Sequence, residues 1–105
     1  MMKAVNTIQI QKGKVDEIIP RFQTLQGVQD APGFVRLEVW KNTGDTDNDE
    51  IQVCTTWESA ADFTAWTESD AFKAKHKKRH ENRSPDSPIL GAKLSTFEVE
   101  IVHEK

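Results

Sequence analysis

At 105 residues, with 36% hydrophobic and 30% charged residues, the chain is sized for a single domain over 1–105 and is too short for two. No apolar run approaches the roughly 20 residues that span a bilayer, and a lone cysteine, Cys54, excludes an internal disulfide. The net charge of -3 hides an asymmetry: residues 73–83 hold six of the fourteen Lys and Arg residues and one acid, so this stretch carries +5 and the remainder -8. Such a patch suits a ligand with a few negative charges, or a solvated helix face, whereas a long nucleic acid requires a broader basic surface. With no signal-peptide core in the first ten residues, the expectation is a cytoplasmic protein that binds neither nucleic acid nor membrane.

Residues 4–10 alternate and predict a strand with Asn6, Ile8 and Ile10 on one face. Gly13 breaks it. Val15, Ile18, Ile19, Phe22 and Leu25 then stand at helical spacing and predict an amphipathic helix from Val15 to Leu25, which Pro20 should kink or shorten. The turn Ala31-Pro32-Gly33 leads into a strand at 34–40 with Val35, Leu37 and Val39 on its apolar face. Residues 41–50 have the composition of a flexible hairpin loop, and a third strand is expected at 51–57. Ser59 followed by Asp62 resembles a capping box and starts a helix that runs to about Trp66. Ser69 and Asp70 offer a second cap, so a break near 67–70 and a new helix from Ala71 to about His80 follow. A proline-containing loop at 81–91 precedes a last strand at 93–102 that places Ser95, Phe97, Val99 and Ile101 on one face.

The order β-α-β-β-α-(α)-β is that of a ferredoxin-like, split βαβ domain of the α+β class. Helices on one side of the sheet leave its other face in need of cover, and pairing with a second copy supplies it. A homodimer is the physical expectation.

Three side chains stand out. Asn6 shares a face with Ile8 and Ile10, where an amide must find partners; it serves either a structural hydrogen bond or a ligand. Trp66 follows Phe63 by three positions, a spacing that suits core packing as well as a pocket wall. Trp40 and Trp57, near strand ends, read as core. His76 follows Phe72 by one helical turn and is ringed by Lys73, Lys75, Lys77, Lys78 and Arg79. On that helix it is either a solvated histidine or an axial ligand for haem iron, with apolar surface for the macrocycle and cations for the propionates. His80 competes for this role, and His103 in the tail does not. No motif for zinc, nucleotide or acyl-transfer chemistry is present.

Over nearly its whole length the chain resembles the IsdG-type haem-degrading monooxygenases, within the antibiotic-biosynthesis-monooxygenase-like superfamily. The resemblance rests on TTWESAADFTAWTESDAFKAKH (55–76), Asn6 with Lys12-Gly13, the IIxRF segment at 18–22, Pro-Gly-Phe at 32–34 and SPI at 87–89. It implies a dimeric α+β barrel with a haem pocket between sheet and helices. It further implies that His76 is the proximal iron ligand, that Asn6 donates a hydrogen bond to dioxygen on the distal side, and that Trp66 presses the porphyrin out of plane. Phe22, on the IIxRF segment, would bind haem from the pocket wall, which Pro20 alters relative to the family pattern. Haem would be substrate and cofactor together, and with no flavin or nicotinamide site the electrons must come from an external donor, a reductase partner. The other readings are a haem carrier or sensor, a cofactor-free monooxygenase acting on a polycyclic aromatic, and a structural dimer without ligand.

Overall fold

Alternating residues lay down the sheet. In the computed structural model, which describes residues 1–25, 27–42, 44, 47–74 and 88–105, β1 runs Met2–Gln11, β2 Phe34–Asn42, β3 Asn48–Trp57 and β4 Ile89–Glu98. Among the described residues these strands form one antiparallel sheet in the order β2-β3-β1-β4, the ferredoxin-like α+β arrangement expected from the element order. β1 is central, and Met2, Ala4, Ile8 and Ile10 are buried along its helix-facing side.

The first helix is shorter than its apolar spacing suggests. α1 spans Val15–Ile18, and the chain then tightens into a 3-10 turn, Ile19–Phe22, instead of continuing to Leu25. Pro20 is the cause: it has no N–H for the carbonyl of Asp16, and its ring crowds that carbonyl. Val15 and Ile18 still reach Ile8, Ile10 and Ile51. α2, Ala60–Thr67, begins as expected, with Ser59 Oγ accepting from the Asp62 N–H at 3.2 Å. Ser69 restarts the helix by accepting from the Phe72 N–H at 3.2 Å, and residues 70–74 are helical. The rest of that expected helix, with His76 and His80, and loop residues 81–87 lie outside the described residues.

Four expectations are corrected. The apolar face proposed for β2 fails at Val35, which is exposed, because the register shifts between Phe34 and Arg36. One irregular residue exchanges faces, and Phe34 takes the inward place, its ring 5.5 Å from that of Trp57. The strands also reach into the expected 41–50 loop, since Asn42 pairs with Glu50 and Gln11 with Asn48. β4 begins at Ile89 rather than 93 and ends at Glu98, so Val99 and Ile101 lie beyond it. Its ladder is started by the Gln11 N–H, which donates to the Pro88 carbonyl at 2.8 Å. Trp40, expected in the core, is 42% exposed on the helix-free face, whereas Trp57 is fully buried.

Candidate active site

Along the helix-facing side of β1 two apolar clusters form, and they do not merge. Ile8 and Ile10 pack with Val15, Ile18 and Ile51; Met2 and Ala4 pack with Val28 and Trp57. Asn6 falls between them, where the period of two has put an amide among the inward positions. It is half-buried, and among the described residues its side chain has no hydrogen-bond partner. Its cross-strand neighbours are aliphatic, Val53 on β3 and Leu94 on β4. A partly desolvated amide without a partner is unfavourable by itself, and a ligand that accepts from it removes the penalty.

Trp66 forms part of one border of this break. Half-buried on α2, it stacks on Trp57 (centroids 6.5 Å, planes 29° apart) and meets Phe72 edge-on at 5.9 Å. Trp57 in turn meets Phe63 at 5.7 Å, so the aromatic set holds the exposed part of Trp66 in a fixed place. Phe22, on the 3-10 turn after α1, is half-buried against the aliphatic cluster on the other border. Sequence-predicted Asn6, Trp66 and Phe22 thus belong to the helix-facing layer. His76, the expected iron ligand, lies outside the described residues.

One positioning group was missed by reading the sequence. Asp49, only 2% exposed, sits opposite Ile10. Its Oδ2 accepts from the Gly13 N–H at 2.9 Å and its Oδ1 lies 3.1 Å from Lys12 Nζ, which ties the β1–α1 turn to β3. Burial pushes its carboxyl up, but hydrogen bonds from Gly13, Lys12 and Val15 and the Lys12 charge outweigh this and hold it below the ordinary carboxylate value. The acid-rich composition of 41–50 disguised it as loop; the signal was its place two residues before the inward Ile51. Cys54 is buried at the centre of the sheet, where desolvation raises its thiol pKa and keeps it unreactive.

A hollow lies on the opposite face. There Lys3, Val5, Thr7, Trp40, Gln52, Ser95 and Phe97 line a concavity of about 260 Å³. It holds none of the sequence-predicted site residues.

Residues 1–78 match the antibiotic biosynthesis monooxygenase family. The chain belongs to that family. Among its relatives, haem oxygenase (staphylobilin-producing) of Staphylococcus haemolyticus is 38% identical over 94 residues, 90% of each chain. The enzyme of the same description from Staphylococcus saprophyticus is 37% identical over 94 residues, again 90% of each. Among solved structures, the haem degrader MhuD of Mycobacterium tuberculosis, with two haems bound in its active site, superposes with a TM-score of 0.73 at 26% identity. That match covers 99% of this chain and 100% of the other.

Proposed function

We propose that this protein is a haem-degrading monooxygenase, which binds haem and cleaves the porphyrin oxidatively to release iron and a linear tetrapyrrole. The observation that carries the reading is the break between the two apolar clusters, with an amide at its floor that has no partner among the described residues and a fixed tryptophan at its border. A flat apolar ligand with a polar centre matches that composition. The relatedness to staphylobilin-producing haem oxygenases over nine-tenths of the chain supports it.

When bound, haem supplies the iron that activates dioxygen, so it is substrate and cofactor in one. Dioxygen is reduced as the ring is oxidised, and the electrons come from a donor outside the chain, a reductase. Asn6 would donate a hydrogen bond to the bound ligand, and an amide does this without giving up a proton. Trp66, backed by Trp57 and Phe72, presses on one edge of the macrocycle and orients it. Phe22 closes the wall on the α1 side. His76 would hold the haem iron through an imidazole nitrogen, which binds a metal only in its unprotonated form.

The same reading includes a homodimer in the cytoplasm. Trp40 and Phe97 are 42% and 54% exposed on the helix-free face around its concavity, a surface that a second sheet can cover.

The test is a haemin titration followed by addition of a reductant in air. A Soret band that forms, then decays with release of iron and a tetrapyrrole identified by mass spectrometry, is the expected result. A stable Soret band under reducing, aerobic conditions leaves a carrier and ends the enzymatic reading. Absence of any Soret change ends haem binding altogether.

A further inference from the structure

One row of side chains crosses the sheet through Asn6. In register it reads Leu94 on β4, Asn6 on β1, Val53 on β3 and Val39 on β2. Directly opposed residues of antiparallel strands project to one face. The alternate residues of β4, Ser95 and Phe97, line the concavity on the other face together with Val5 and Thr7, which independently assigns Leu94 to the side of Asn6. The two flanks of the amide differ. Val53 and Val39 are half-buried and pack against the aliphatic cluster. Leu94 belongs to neither cluster and is 56% exposed.

We propose that Leu94 is a haem-contact residue: together with Val53 it forms an apolar floor on either side of Asn6, and the macrocycle covers it on binding. This rests on the haem reading above and adds a residue to it. Adjacent strands lie 4.7–4.9 Å apart, so the row from Leu94 to Val53 spans roughly 10 Å, comparable with the width of the macrocycle. A flat ring laid over the Asn6 amide therefore meets both neighbours. The floor then has one polar point between two aliphatic side chains, which lets the apolar flanks supply affinity and the amide supply orientation. Removing the exposed aliphatic surface of Leu94 from water favours the bound state, and the haem-free fold does not depend on it.

Haemin is titrated into wild type and into Leu94→Ala, Leu94→Glu and Leu94→Met, following Soret absorbance, with thermal melting of each haem-free protein alongside. Leu94→Ala is expected to raise Kd roughly tenfold, Leu94→Glu more, and Leu94→Met, which conserves volume, to stay within about threefold of wild type. The haem-free Ala and Glu variants should melt within about 2 °C of wild type. Wild-type Kd in the Ala and Glu variants overturns the proposal. So does a lowered melting temperature of haem-free Leu94→Glu with wild-type affinity in Leu94→Ala, because protein rather than ligand then covers this side chain. If wild type gives no Soret change, the haem reading itself has failed; if wild type binds and the variants bind equally, only the role of Leu94 has.

Discussion

The two ends of the helix-facing layer are built differently. At one end short aliphatic side chains from α1 lock onto Ile8, Ile10 and Ile51, and Asp49 holds the turn that delivers them. At the other, Phe34, Phe63 and Trp66 surround the fully buried Trp57 through edge and stacked contacts drawn from β2, β3 and α2. The aliphatic end joins α1 to its neighbour β1 and to Ile51 and Asp49 of β3, whereas the aromatic end draws three of its four rings from residues 57–66 and the fourth, Phe34, from β2. Between them the amide of Asn6 interrupts the apolar surface. A continuous core needs no such interruption, so the contrast separates what stabilises this fold from what it is built to hold.

Trp57→Ala tests the aromatic end and should have the largest effect, a loss of about 3–5 kcal/mol in chemical denaturation, because the void left behind cannot collapse among rigid rings. A loss below about 1 kcal/mol would mean that the rings are not the keystone of that end. Gly33→Ala comes next. Gly33 has φ +81°, and an added Cβ would fall on the Asp62 side chain, which also takes a hydrogen bond from Ser59 Oγ at 2.9 Å. Strain and displacement of the α2 cap should together destabilise by about 1–3 kcal/mol, and Trp66 emission should shift as α2 moves.

Asn6→Leu joins the two clusters. Replacing a half-buried, unpartnered amide by an apolar side chain of similar size should leave stability unchanged or raise it by up to about 1 kcal/mol, while haem turnover falls. Reduced stability in this variant would show that Asn6 serves the fold. Asp49→Asn tests the aliphatic end, and its effect disappears under one condition. The carboxyl sits below its ordinary value of 3.8 in the folded protein, so its ionised form contributes stability above that value. That contribution is lost as pH falls through the depressed folded value. Wild type should therefore exceed Asp49→Asn in melting temperature near neutral pH, with the gap narrowing as pH falls below 3.8 and closing below the depressed folded value. A gap independent of pH would remove charge from the explanation.

Much of this was legible in advance for identifiable reasons. Asn6 could be assigned to the inward face because alternation has a period of two and Ile8 and Ile10 follow it in the same phase. The cap at Ser59 and the restart at Ser69 were legible because a hydroxyl three residues before its target N–H is a local interaction. Asp49 was not, since its partners Gly13 and Lys12 lie far away in sequence and its acidic neighbours resemble a loop. The exchange of Val35 for Phe34 was hidden for a related reason: a bulge belongs to a pair of strands, and no single strand encodes it.

The element order, the inward place of Asn6, the helical spacing of Phe63 and Trp66, and the family to which the chain belongs were all readable from the residues alone. These follow from short-range periodicity and from motifs written in consecutive residues. That the core divides at Asn6, that Asp49 is buried and paired, and that Leu94 is exposed beside the amide emerged from the folded chain. Each of those depends on strand register, and register is set by contacts between residues some forty to ninety positions apart, as the pairings of Asn6 with Val53 and Leu94 illustrate.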